Sequence, residues 1–489
     1  MLFNSWEFAI LLFITFVMYY AVPSGVKIVK SWQVSVALLA STVFYGWEDY
    51  RLLFLLALSC VSNSFATGLI IQYKLANQQN KVVRAVQWAV MLNLLLLFVF
   101  KYASFVMGII PGIPLAWIQE AKSIPLPIGI SFYTFHGISM IVDVGRGEIT
   151  READEIMANQ SNVPRVKKYL FGVRDIGFYL LFFPQLVAGP IIKAKNFWPQ
   201  IKSKRIADID WSVVIKSLIL GYFFKMVVAD NISEQTVHLT TSNITFMSGL
   251  DLICLLYGYG FQIFADFAGY SLIAIGLAGL FGYNFPANFN FPYISTSVTE
   301  FWQRWHMSLS SWLRDYLYIP LGGNRKGEVR TYLNLFLVMF LGGLWHGAAW
   351  KFALWGTCHG LLLAAERIGK SLYKNKNPNI LISCLGWVYT FHAVTLLWLT
   401  FLMPDMKQIC LFFTQALSGN KIHGPYLFVP IFFGFFVCVY HLFGLIYEKR
   451  KALLTRYQNT TVEGLIYGAL IFMIVTNSGA PQGFLYFQF

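Results

Sequence analysis

An all-α polytopic membrane protein is the fold class this sequence predicts, and three observations predict it. Of its 489 residues 57% are hydrophobic and 12% charged, whereas soluble chains carry roughly 25% charged residues. Mean hydropathy is +0.57, and apolar runs of about 18 or more residues recur from end to end. Short basic links separate these runs and alternate with less basic ones. The formal net charge of +14 therefore reads as membrane orientation and contact with anionic lipid, not nucleic-acid binding. The six cysteines form no C-x-x-C pair and lie mostly inside apolar runs, as small buried hydrophobes do. Residues 1–489 read as a single membrane-embedded domain.

The first run, 6–22, has no positive flank before it and no small-residue cleavage site after it. It reads as a span, not a removed signal peptide. Further spans are expected at 32–48, 51–72 and 86–109. Lys27 and Lys30 follow the first span; Lys74, Lys81 and Arg84 follow the third. These basic links are expected in the cytoplasm, which puts the N-terminus outside. The link 111–127 is expected to hug the outer interface. A span beginning at Leu126 leads to a basic loop holding Arg146, Arg151, Arg165, Lys167, Lys168 and Arg174. The next apolar piece, 177–192, is short, is broken by Pro184, Gly189 and Pro190, and has basic flanks on both ends. That pattern predicts a re-entrant segment over a cavity open to the cytoplasm, because irregular backbone at that depth must be covered.

A span at 212–229 is expected to lead to a polar outer loop, 231–245. Two apolar stretches follow, 247–264 and 268–282, with Asp266 between them at membrane depth. A structural partner explains that carboxylate at least as well as catalysis does. Ser297 and Glu300 form a capping box, so a helix starts there; Pro320, Gly322 and Gly323 end it. Trp302, Trp305, Leu309 and Trp312 recur on one face, and Arg304, Ser308, Ser311 and Asp315 on another. One amphipathic helix is expected, with His306 beside Trp302, Leu309 and Leu313. On such a face a histidine is often a hydrogen-bonded core residue.

Residues 332–344 then form an apolar arm of about 13 residues, too short for a hydrocarbon core of roughly 30 Å. The arm 348–365 returns to the same basic side. The Trp345-His346-Gly347 turn is therefore expected inside the membrane, and Gly342, Gly343 and Gly347 let backbone or ligand come close. A histidine at such an apex has a weak structural explanation, which points to function. His359 reads as supporting or structural. Spans at 380–402, 426–446 and 462–478, with an amphipathic piece at 406–417, place the C-terminus outside. No repeat, phosphate-binding loop, dinucleotide fingerprint or H-E-x-x-H motif is present.

Imidazole suits proton transfer near neutral pH, and burial disfavours its charged form, leaving a ready base. Such a base serves acyl transfer from an activated donor to a hydroxyl. A proton-relay histidine in a polysaccharide or lipid-linked transporter has the same look. A scaffold for a secretion complex is a third reading.

The motifs P-I-G-I-S-F-Y-T-F-H-G-I-S from Pro127, F-F-P-Q-L-V-A-G-P-I from Phe182 and F-A-D-F-A-G-Y-S from Phe264 carry a further signal. So do F-G-Y-N-F-P-A-N-F-N-F-P-Y from Phe281, F-W-Q-R-W-H-M-S-L-S-S-W-L-R-D-Y-L-Y-I-P-L-G-G-N from Phe301 and G-G-L-W-H-G-A from Gly342. Over about 125–370 the chain resembles a membrane-bound O-acyltransferase, close to the polysaccharide O-acetylation branch. The terminal F-L-Y-F-Q-F resembles that branch too; Leu272 departs from it, standing where an acidic residue is expected. The resemblance implies a funnel of about 11 transmembrane helices plus re-entrant and amphipathic helices. It implies His346 as catalytic residue and His306 as its second histidine, with Arg304, Trp305, Asp315, Trp345 and Asn290 as substrate contacts. No metal or permanently bound cofactor is implied. The implied donor is a cytoplasmic thioester, acetyl-CoA or an acyl carrier. The acetyl group would cross a bacterial inner membrane to a separate extracytoplasmic acetyltransferase. The acceptor expected first is an alginate-like exopolysaccharide, then peptidoglycan, then a D-alanylated cell-wall polymer.

Overall fold

The computed structural model describes residues 1–23, 25–123, 127, 129–149, 165–186, 189–239, 241–372, 379–418, 425–456 and 460–485. All regular elements among them are helical. In chain order the main helices are α1 (Trp6–Tyr20), α2 (Val29–Gly46), α3 (Leu52–Leu75), α4 (Gln79–Ile109), α5 (Leu115–Ser123) and α6 (Ile130–Arg146). Next come α7 (Arg165–Leu181), α8 (Trp211–Thr236), α9 (Gly249–Leu280), α10 (Val298–Arg304), α11 (Met307–Leu313) and α12 (Glu328–His346). The last are α13 (Trp350–Leu372), α14 (Ile380–Leu402), α15 (Met406–Leu417), α16 (Phe428–Arg456) and α17 (Thr460–Thr476). Six of these, α3, α4, α8, α9, α14 and the first part of α16, are long and apolar enough to cross a membrane, and α1 and α17 are shorter apolar helices. Their starts follow sequence: Ser5, Ser297, Asn379 and Asp405 each accept a backbone N–H from the first turn, as N-cap side chains do.

The chain forms two compact units. The first comprises Met1–Ile215 and Ala274–Pro286. Here α3 packs on α4, α6 and α7, and α2 packs on α1 and α7. Phe178–Leu186 and residues 189–192 of the broken apolar piece are buried. After α7 the chain makes a single turn at Phe183–Leu186, and residues 189–193 are non-helical and mostly buried. Side chains of α6 and α7 hold it: the Tyr179 hydroxyl donates to the Ile192 carbonyl at 2.8 Å, and Ser139 and Asp143 accept the N–H groups of Ala194 and Lys195. That is the condition under which irregular backbone is tolerated inside a membrane protein. Arg151, within the expected basic loop, lies outside the described residues.

The second unit comprises Lys216–Ile273 and Ala287–Phe489. Its centre is the hairpin of α12 and α13. A Cβ on Gly343 would sit 2.3 Å from the Phe352 carbonyl oxygen, and one on Gly356 2.3 Å from that of Met339. The two backbones therefore touch, and larger residues would wedge them apart.

Four expectations need correction. Residues 247–282 are not two apolar stretches; α9 runs unbroken for 32 residues, because the buried charge of Asp266 is compensated and the helix need not break. The stretch 231–245 is largely helical, not a loop, since α8 continues to Thr236 and a turn follows at Thr241–Ile244. The first hairpin arm has 19 residues, about 28 Å of helix, because its polar start at Glu328 and Arg330 is also helical. Finally, the helix begun at Ser297 stops at Arg304 and restarts at Met307. The break falls on His306.

Candidate active site

His306 occupies the left-handed region, φ 43° and ψ 53°, which a side chain with a Cβ enters at a cost of about 1–3 kcal/mol. Asn288 holds it there. Its backbone oxygen accepts the Met307 N–H at 2.9 Å. Its side-chain oxygen accepts from the Ser308 N–H at 3.3 Å and the Ser308 hydroxyl at 2.8 Å, and lies 3.1 Å from Nδ1 of His306. The Asn288 amide nitrogen donates to Ser271 at 3.0 Å. Because an N–H of Ser308 points at it, the Asn288 atom facing His306 is an acceptor, so Nδ1 carries the proton. The lone pair then falls on Nε2, which has no hydrogen-bond partner among the described residues. The ring is fully buried, edge-on to Phe267 at 4.6 Å. Burial pushes its pKa well below the ordinary imidazole value, so it is neutral.

His346 is the last residue of α12 and is 5% exposed. Gly347 and Ala349 make the turn into α13. Its ring lies among Trp345, Trp355 and Phe401, with centroids at 5.0, 5.2 and 5.2 Å. Trp345 in turn lies 6.2 Å from His306, so one indole links the two histidines. His346 faces a cavity of about 110 Å³ whose walls include Trp302, Leu309, Leu313, Met339 and Trp355. The lining is almost wholly apolar, which excludes water from anything bound beside the imidazole.

The other expected site residues are placed as follows. Trp305 is 1% exposed and stacks among Phe301, Tyr293, Phe289 and Trp398. Arg304 pairs with Glu300 at 2.9 Å and Glu448 at 2.5 Å. Asp315 meets Arg314 at 2.8 Å. Asn290 is exposed and gives its backbone N–H to the Arg304 carbonyl. His359 on α13 lies 3.3 Å from the Trp302 indole N–H and 4.6 Å, ring to ring, from Trp355, so it backs two walls of the cavity. Glu366, also on α13, accepts the Val298 and Thr299 N–H groups and the Thr299 hydroxyl, closing the start of α10.

Sequence reading missed Asn288, Glu366 and Lys225. Lys225 sits in a π-helical turn of α8, Phe223–Ala229, a local distortion often found at functional sites. Its ammonium lies 2.7 Å from Asp230 and 2.8 Å from Asp266, all three side chains at most 4% exposed. Asp266 also accepts the Leu485 N–H at 2.9 Å. The signal was present: one lysine and two carboxylates inside apolar runs need each other. Among the described residues no group of three His, Cys, Asp or Glu side chains could hold a metal ion.

A helical membrane protein with two buried histidines joined through one indole, one of them on the wall of an apolar cavity, belongs to the class of multi-pass membrane enzymes. The membrane-bound O-acyltransferase family matches residues 39–404, and the chain belongs to that family. It is 36% identical over 381 residues to the probable alginate O-acetylase AlgI of Pseudomonas aeruginosa, covering 76% of this chain and 67% of that protein. It is 34% identical over 396 residues to a peptidoglycan O-acetyltransferase of Helicobacter pylori, covering 78% and 72%. A teichoic acid D-alanyltransferase of Bacillus subtilis is 29% identical over 285 residues, covering 55% and 66%. The protein is thus a membrane O-acyltransferase.

Proposed function

We propose that the protein moves an acetyl group from a cytoplasmic thioester, acetyl-CoA first, toward O-acetylation of an extracytoplasmic polysaccharide. The observation that carries this reading is the position of His346 on the wall of a dry apolar cavity. A thioester carbonyl bound there meets one base and no water. The imidazole nitrogen takes the acceptor hydroxyl proton as that oxygen attacks the carbonyl carbon. The C–S bond breaks, and the thiolate leaves with the proton from the imidazolium. His306, one indole away, positions donor or acceptor through Nε2. Relatives named as probable alginate O-acetylases support an alginate-like exopolysaccharide as final acceptor; a peptidoglycan O-acetyltransferase relative keeps peptidoglycan second. A separate extracytoplasmic acetyltransferase would finish the transfer. The alternation of basic and less basic links supports an orientation with both termini outside the membrane, and a bacterial inner membrane suits a cytoplasmic thioester donor.

The test is polymer chemistry in cells. Bacteria carrying the His346→Ala protein at wild-type level are expected to secrete polysaccharide without O-acetyl groups. Unchanged acetylation would sink the catalytic role of His346. Acetyl groups lost from peptidoglycan and not from secreted polysaccharide would move the acceptor.

A further inference from the structure

One aromatic ring, Phe401, lines one cavity of the second unit and packs on two residues that line another. The apolar one holds His346. The other, about 180 Å³, is lined by Lys225, Asp230, Glu234, Gln262 and Asp266 and by Phe401. The Phe401 ring is 5.2 Å from His346 and 5.1 Å from Trp355, both on the wall of the apolar cavity. It is 1% exposed and is braced by Phe352 at 5.0 Å and Trp398 at 5.3 Å. A ring in that position separates a dry compartment from a polar one.

The polar lining has a recognisable preference. One ammonium stands against three carboxylates, those of Asp230, Glu234 and Asp266. Lys225 and the Leu485 N–H engage Asp266, and the Ala480 N–H engages Glu234 at 2.8 Å. Each carboxylate oxygen offers further lone pairs, so the lining accepts hydrogen bonds from hydroxyl donors and repels anions.

We propose that this polar cavity receives an uncharged, hydroxyl-bearing acceptor group, an intermediate carrier and not the final polymer, and that the Phe401 ring is the partition across which the acyl group leaves the His346 cavity. The proposal rests on the acyl-transfer reading above. When the ring is shut, water in the polar cavity is kept from the thioester. When it swings aside, the acceptor oxygen reaches the carbonyl carbon, its proton goes to the imidazole, and the thiolate leaves with that proton. Phe401 decides whether the thioester is transferred or hydrolysed.

The experiment uses purified full-length protein in lipid vesicles with labelled acetyl-CoA, and N-acetylglucosamine or glucuronate as hydroxyl probe. Phe401→Ala is expected to raise CoA release without acceptor about tenfold, as water enters the site. Phe401→Trp is expected to keep that release at wild-type level and to slow acetyl transfer. The neutral sugar is expected to accept acetyl and glucuronate not; equal use of both overturns the acceptor class. Met339→Cys, on the apolar wall, is expected to react faster with a membrane-impermeant maleimide in the Phe401→Ala protein, measured over protein without the Met339→Cys change. Wild-type release and labelling in Phe401→Ala, with release still abolished by His346→Ala, overturns the partition. If Phe401→Ala does not accumulate, Phe401→Trp decides, and transfer at the wild-type rate overturns it. Release indifferent to His346→Ala sinks the catalytic reading and the acceptor role with it, while the labelling still reports whether Phe401 seals the cavities.

Discussion

The side-chain oxygen of Asn288 lies 3.1 Å from Nδ1 of His306 and also accepts two hydrogen bonds from Ser308. One amide thereby fixes a left-handed backbone, a ring orientation and a tautomer. Asn288→Ala removes the acceptor and frees the ring. Turnover is expected to fall about 10–100-fold, by analogy with metal-bound histidines that lose the partner fixing their tautomer. Asn288→Asp keeps the acceptor and is expected to recover part of it. Steady-state kinetics with the purified proteins checks this; equal loss in both variants would contradict the tautomer role.

Lys225 neutralises two buried carboxylates. Lys225→Met leaves Asp230 and Asp266 facing each other without a cation, and is expected to destabilise the protein by about 3–5 kcal/mol. Replacing Asp230 and Asp266 by Asn in the same protein removes the uncompensated charge and should restore much of the loss. Thermal unfolding in detergent reads both.

The hairpin depends on the Gly343–Gly356 contact. Gly343→Ala pushes a methyl group into the Phe352 carbonyl, and overpacking of this kind costs about 1–3 kcal/mol. A lower melting temperature with reduced turnover is expected, since α12 carries His346 at its end. A variant with wild-type stability would show that the helices part freely.

Glu366 closes the first turn of α10, which leads to His306. Glu366→Ala removes its bonds to Val298 and Thr299 and is expected to cost about 1 kcal/mol. Turnover should fall while the apparent affinity for donor is kept. Loss of donor affinity alone would place Glu366 in donor binding instead.

Much of this was legible in sequence because hydropathy and capping are local. Ser297 announced the start of α10, and Trp345-His346-Gly347 announced the hairpin turn. The break at His306 was not legible. Trp302, Trp305, Leu309 and Trp312 keep helical spacing across it, and only Asn288, distant in sequence and adjacent in space, shows why the backbone turns over. Asn288 and Asn290 stand in one motif, and the sequence offers no means of choosing between them. The length of α12 exceeds the expected arm because Glu328 and Arg330 look like loop residues; within the arm, the buried Asn334 is bonded to the Gly323 carbonyl. The continuity of α9 could not be read without Lys225, which makes Asp266 tolerable inside an apolar helix.

The most direct measurement of the central claim is thioester turnover by the purified protein in lipid. Labelled acetyl-CoA is supplied to wild type, His346→Ala and His306→Ala, with and without the proposed partner acetyltransferase. CoA release is expected to fall about 10²–10⁴-fold without the His346 imidazole, and less without His306. Equal release from wild type and His346→Ala would contradict the account.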